Sequence, residues 1–423
     1  MKQIFLIIFG FSSWTVHAQM DSSYEVLVAK ANLPHLQKHK EQAIRYFEQA
    51  FAFRKPDALN AYKAAGVYSL DSNPVKAFYY LQAALDSGWT EADWLSFDPY
   101  FDYLRKKHHT QWKAVEQKAF KKEKTFAQTL TLPALRKEIN RLARQDQKLR
   151  YKSAQAKNKT EQQQINRLIQ QADAQNQTRA KEIFKHYGFP GIDAIGKDGQ
   201  NNLWLIIQHA DQDVLFQQEV LADMKTKFHT GQISQVCYAF LYDRVQCNLN
   251  YKQSYGTQVV WTGSGEASGF RPILEEDRAD ERRKELGMEP LSVYSLTYGF
   301  IYTPVTATQA IQQDAADISY TRQLIDSAAY YYNKKQFQQV YDLYNTASTI
   351  MGGMSTNDNY NAAVLFAKIS AEDKHPQYKS ISLDFLNLVY IRKELTHRQL
   401  DAQKEFAILM EEPRWKEMMH SLK

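Results

Sequence analysis

The strongest constraint on this chain is a repeat. Ala43, Phe47 and Ala50 recur as Ala77, Leu81 and Ala84, each 34 residues further on. Within each set the spacing is i, i+4, i+7, which is one face of an α-helix. Ala64, Ala65 and Tyr68 fall between the two sets and supply the other helix of the unit. Small Ala side chains let two helices approach closely, and the aromatic fills the groove beside them. Turn residues are sparse, with 16 Gly and 11 Pro in 423 residues, against about 7% and 5% in ordinary proteins. That argues against a sandwich or barrel and for long helices.

A period of 34 residues with these residue types resembles the tetratricopeptide repeat. A looser copy stands near the C-terminus. Asn60-Ala61 is followed after 52 residues by Trp112, and Asn361-Ala362 after 54 by Trp415. Each Trp is preceded by an Asp and a Phe-x-x-Leu, namely Asp98, Phe101 and Leu104, then Asp401, Phe406 and Leu409. An insertion around Gly352-Gly353 loosens the second copy. The expected fold class is therefore mainly α, with tetratricopeptide-like helical repeats flanking a helical domain that carries a small β-hairpin. The expected divisions are 1–19, 20–124, 125–300 and 301–423. Such repeats commonly offer a concave face to a protein or peptide partner; a scaffold that only packs on the central domain is the plain alternative.

Residues 1–19 read as a secretory signal peptide: Lys2, an apolar run from Ile4 to Phe11, and Val16 and Ala18 at −3 and −1 of a cut before Gln19. The expected location is exported, periplasmic or secreted, with no membrane span in the rest of the chain. Cys237 and Cys247 are the two cysteines. On one helix, ten residues turn through about 1000° and rise about 15 Å, too far for a disulfide, so buried free thiols are expected. Cysteine spacing allows no metal framework, and no cofactor or metal is expected.

The net charge of +6 is unevenly spread. Residues 105–185 hold 21 Lys and Arg against 7 Asp and Glu, and the rest holds 32 against 40. A solvated helical face is the ordinary reading of such a run, and no nucleic-acid partner is expected. Two amphipathic helices are predicted here. One carries Leu135, Ile139, Leu142 and Leu149; the other carries Ile165, Ile169, Ala172 and Ile183 and stops at Gly188. Asp146, Asn176 and Arg179 fall among these apolar positions. Polar groups on a buried face need partners, so they either satisfy one another or line a cleft.

Further along, Leu203 to Ile207 is an apolar run ending in Gln208-His209-Ala210-Asp211. A helix with Val214, Leu215, Val220, Leu221 and Met224 follows, with Asp211 and Asp213 placed to open it. A third apolar segment, 236–245, ends in Asp243-Arg244. Gln253 to Trp261 predicts a short strand, turned by Gly263-Ser264-Gly265 and paired with 270–274, and a charged helix spans 275–286.

The order Asp146-Gln147, Asn176, Arg179, Tyr-Gly-Phe-Pro-Gly at 187–191, Gln-His-Ala-Asp at 208–211, Phe216-Gln217, Asp243-Arg244, Gln-x-Tyr-Gly-Thr-Gln at 253–258, Arg282-Arg283, Gly287 and Leu291 resembles an uncharacterised bacterial domain family over residues 130–295. The resemblance implies one domain and carries no activity with it. The candidate catalytic residues are His209, Asp211 and Asp243, with His209 as base and an Asp as its orienter in a hydrolase-type site. Asp146, Asn176, Arg179, Arg244 and Gln258 are the candidate ligand-binding groups. The competing expectation is structural: Asp211 caps a helix, Asp243 and Arg244 join Arg179 and Asp146 in a buried ion-pair network, and His209 sits satisfied in the core. The function expected first is an exported interaction or scaffold protein; the hydrolase is the alternative.

Overall fold

Among the described residues, helix follows helix, broken by one short hairpin. The computed structural model describes residues 22–373 and 375–422; the signal-peptide expectation for 1–19 lies outside them. Two compact units are present. One runs up to Tyr242 and takes in Tyr255–Arg271 and Arg278–Pro304; the other comprises Asp243–Ser254, Pro272–Asp277 and the chain from Val305.

In the first unit, α1 (Ser22–Leu36) packs on α2 (Lys40–Phe53), and α3 (Ala58–Leu70) packs on both α2 and α4 (Pro74–Asp86). All six positions of the 34-residue repeat are buried, as are Ala64, Ala65 and Tyr68. The starts of α3 and α4 are written locally. Asp57 Oδ1 accepts from the Asn60 amide at 2.9 Å, and Asn73 Oδ1 from that of Lys76 at 3.1 Å, with Pro74 opening α4. Beyond α5 (Ala92–Phe97) and a 3-10 turn at Pro99–Phe101 come α6 (Asp102–Lys107) and α7 (His109–Ala127). Aromatic rings bind this end together: Tyr62 stacks on Trp89 with centroids 4.0 Å apart, and Phe101 lies 5.7 Å from Trp112.

Next come α8 (Pro133–Ala154), α9 (Lys159–Tyr187) and α10 (Ile192–Gln208), with α8 packed on both of the others. As the sequence predicts, α9 stops at Gly188, whose φ of 63° is readily adopted by glycine. Gly196 kinks α10 with φ 72°; a Cβ there would meet Asp198 at 2.7 Å and the Phe126 ring at 3.0 Å. Arg136, 2% exposed, ties these helices to the preceding ones. It contacts Asp198 at 2.6 Å, Glu123 at 3.1 Å and the Thr90 carbonyl at 3.0 Å. Glu91 lies beside this group. Burial, with the Asp198 charge added, pushes its carboxyl up to about 8.

The following elements correct four sequence expectations. Asp213, not Asp211, caps α11 (Val214–Thr226), because its Oδ1 is the oxygen that receives the Phe216 amide, at 3.1 Å. Asp243 and Arg244 lie inside α12 (Gln235–Asn248), which runs on past them. Strand β1 (Val259–Trp261) pairs antiparallel with β2 (Ala267–Phe270), Val259 opposite Phe270. The pairing strand therefore ends at the residue expected to begin it. The turn closes at once through the Thr262 amide on the Glu266 carbonyl, at 2.8 Å. Both cysteines are free thiols on α12; Cys237 is buried, but Cys247 only partly so, since ten residues leave them on different sides of the helix. Two short helices, α13 (Ala279–Glu285) and α14 (Leu291–Tyr294), complete the unit.

The second unit holds α15 (Ala307–Asn333) packed on α16 (Phe337–Thr349), and α17 (Thr356–Asp373) packed on α18 (Gln377–Ile391). After these come α19 (His397–Ala402), a 3-10 stretch at Lys404–Leu409 and α20 (Pro413–Ser421). From α17 on, this order is similar to that from α3 to α7, without a counterpart of α6. The aromatic pair recurs too, with Phe406 and Trp415 centroids 5.6 Å apart. The copy differs at its polar positions. Asn359, not Asn361, is the buried asparagine, its Nδ2 donating to the Ser355 carbonyl at 2.8 Å. Asp401 is exposed, whereas Asp98 is buried and accepts from Tyr62 Oη at 2.9 Å. Residues 243–254 belong to this unit through Arg392, which donates twice to the Leu249 carbonyl at 3.0 and 2.8 Å, and Lys252, which reaches Asp314 at 2.6 Å and Asp317 at 2.7 Å.

Candidate functional site

The inward face of α8 begins apolar, with Leu135, Ile139 and Ala143, then turns polar with Asp146, Gln147, Arg150 and Ser153 buried in the same stripe. The facing stripe of α9 holds Ile169, Asp173, Asn176, Ala180 and Ile183, with Asp173 partly exposed. His209 ends α10 as its C-cap. Three helices thus bring Asp146, Arg150, Asp173 and His209 together.

Arg150 is the centre. Its Nε donates to both Asp146 oxygens at 2.9 and 3.0 Å. Its Nη2 lies 2.5 Å from Asp173 Oδ1 and 2.9 Å from His209 Nδ1. A guanidinium has only donors, so the contact with His209 is a hydrogen bond only when Nδ1 carries no proton. Gln147 Nε2 adds a bond to Asp146 Oδ2 at 2.8 Å.

The two carboxylates experience opposite fields. Burial favours the neutral acid at Asp146, but the hydrogen bonds of Arg150, the charge of His209 and the charge of Arg150 outweigh it and hold this carboxyl below the usual range. At Asp173 burial dominates, the Asp146 charge adds to it, and the carboxyl is pushed up to about 6. Ligand atoms of Asp146, Asp173 and His209 all lie within 4.8 Å of one another, so these three side chains could hold a metal ion. The guanidinium of Arg150 already places a positive charge against each of them.

The other candidate residues scatter. Asn176 is buried on α9, one turn from Asp173. Arg179 does not face inward. It is 39% exposed and bridges Glu138 and Glu182, each at 2.7 Å, so the expected network of Arg179 with Asp146 is replaced by Arg150 with Asp146. Asp211 lies in the turn before α11. Asp243 is fully buried, accepts from the Ser254 amide at 2.7 Å and belongs, with Arg244, to the second unit. Gln258 Nε2 donates to Thr257 Oγ1 at 3.1 Å. Arg150 and Asp173 escaped the sequence reading, although both lie at helical spacing from positions it singled out: Arg150 four after Asp146, Asp173 three before Asn176.

Several motif segments are pinned, by motif residues and by Asp223. Gln217 is fully buried and donates to the Ile207 carbonyl at 3.1 Å, closing the end of α10. Asp223 accepts from the Phe189 amide at 2.7 Å and so fixes the Phe-Pro-Gly turn. Arg283, also fully buried, donates to the carbonyls of Tyr255 at 2.5 Å and Glu289 at 2.6 Å. It holds the base of the hairpin, and its guanidinium lies 4.7 Å from the Tyr294 ring.

These features define a helical domain with a small hairpin, internally pinned and carrying a four-residue polar cluster. Residues 133–302 match a protein family of unknown function, DUF6624. The match covers nearly the same stretch as the motifs at 130–295, and the helical hairpins of both flanks lie outside it. No curated protein and no solved structure matches the chain.

Proposed function

We propose that this is an exported interaction protein that holds a protein or peptide partner on its tetratricopeptide-like helical modules. The observation that carries the reading is on α4. Val75 and Tyr79, one turn apart, are 79% and 65% exposed, while Ala77, Leu81 and Ala84 of the same helix are buried. Two large apolar side chains side by side on one exposed helix face form a small apolar patch, the kind of surface that a partner covers. The polar cluster supports the same reading from the other side, because Arg150 already pairs the groups that a catalytic His209 would need.

A hydrolase-type site at His209 is the second reading. It draws on the approach of Asp146, Asp173 and His209 and on an Asp173 that keeps its proton to about pH 6.

One experiment separates them. The full chain is used to capture partners from envelope extract, beside V75E/Y79E and H209A. The interaction reading expects the double variant to lose a specific partner at least about tenfold and H209A to keep it. Equal capture by wild type and V75E/Y79E contradicts it. A folded H209A that loses turnover of a substrate establishes the second reading instead.

A further inference from the structure

The outer face of α8 is a line of cations. Lys137, Arg141, Lys148 and Lys152 recur at steps of 4, 7 and 4, on the side of the helix away from Ile139, Asp146 and Arg150. Lys137, Arg141 and Lys152 are exposed. Among the described residues, no carboxylate lies within ion-pair distance of any of the four; the acids near this face are Glu138, which faces Arg141 but is held by Arg179 at 2.7 Å, and Asp93, which pairs with Arg144 at 2.8 Å. Lys148 rests 4.3 Å from the Phe97 ring centroid. Its amine is held below the usual lysine range by burial and by the charges of Arg144 and Lys152, a sign of crowded like charge. Lys38 extends the patch from the turn after α1, its Nζ 3.4 Å from Tyr151 Oη.

We propose that this face of α8 adsorbs to a surface of anionic phospholipid headgroups. From Lys137 to Lys152 the line is about 22 Å long at 1.5 Å per residue, and a straight row of cations on a convex rod meets a plane along its whole length. Lysines near an anionic bilayer each contribute to attraction without insertion. The exposed positions along the row, Ala134, Lys137, Arg141, Gln145 and Lys152, carry no ring on which nucleic-acid bases would stack and no apolar wedge to enter the acyl region, and the partly buried rings beside it, Phe97 and Tyr151, are covered by Lys148 and Lys38. The attraction is therefore electrostatic, and salt must abolish it.

The test is co-sedimentation of the full chain with vesicles of phosphatidylcholine alone and with 30% phosphatidylglycerol. K137E/R141E/K152E is compared with K225E/K284E/K393E, which changes the net charge equally at exposed lysines elsewhere. The expected result is binding to anionic vesicles only, lost near 0.5 M salt, weakened at least about tenfold by the first variant and little changed by the second. Circular dichroism confirms that both variants are folded. Three results would overturn the proposal: no binding by wild type, equal losses in the two variants, or duplex DNA displacing the vesicles at equal phosphate.

Discussion

At Arg150 one guanidinium answers two carboxylates and an imidazole. Removing it leaves Asp146, 2% exposed, as a buried charge with only Gln147 and nearby dipoles to support it. Arg150→Ala should therefore destabilise the fold by about 3–5 kcal/mol, read as a shift in the urea midpoint. A change under about 1 kcal/mol would mean that Asp146 is solvated or partnered in another way. This cluster was half legible in the sequence. Asp146 and Asn176 stood out as polar residues in an apolar stripe, and both are buried there. Arg179 was misplaced because the inward face of α9 runs through Asn176, Ala180 and Ile183, and one residue before Ala180 is 100° off it. Arg150 and Asp173 were missed because a charged side chain at helical spacing reads as solvated surface until its partner on another helix is known.

At the scale of elements, the helices around residues 40–86 are the most legible feature, since their buried faces rest on local helix periodicity and small residues at close contacts. The start of the second strand, at Ala267 and not at Phe270, is not legible, because Gly263 and Gly265 mark a turn without saying where it closes. Nothing local signalled the joint at Arg136, where Glu91, Glu123 and Asp198 come from three separate segments. That joint has a pH signature. The Glu91 carboxyl is raised to about 8 in the fold and has an ordinary value near 4.5 when unfolded, so the folded state holds the proton more strongly between those values. Its contribution to stability is complete below about pH 4.5 and is lost as pH rises through 8. Glu91→Gln keeps a neutral polar group and should remove this loss. The stability difference between variant and wild type should grow from pH 5 to pH 8, by on the order of 2 kcal/mol after allowance for partial exposure. Denaturant unfolding at pH 5, 6.5 and 8 measures it; parallel dependences on pH would contradict the assignment.

For the whole molecule, composition had already pointed to helices, and the positive charge of residues 105–185 is spread over α6 to α9; the part on α8 divides between two faces of that helix. One is buried and pairs Arg136 and Arg150 with acids; the other is the exposed row from Lys137 to Lys152. Among the described residues no helix is long and apolar enough to cross a membrane. The division into two compact units was not legible, because residues 243–254 join the second unit through Arg392 and Lys252, far away in sequence. The central claim is that a partner sits on the helical modules and not at the polar cluster. Its most direct test places a photocrosslinking phenylalanine analogue at position 79 in one full-length protein and at position 208, beside His209, in another. The expected result is a specific crosslinked partner from position 79 and none from position 208. A crosslink from position 208 alone would contradict the account.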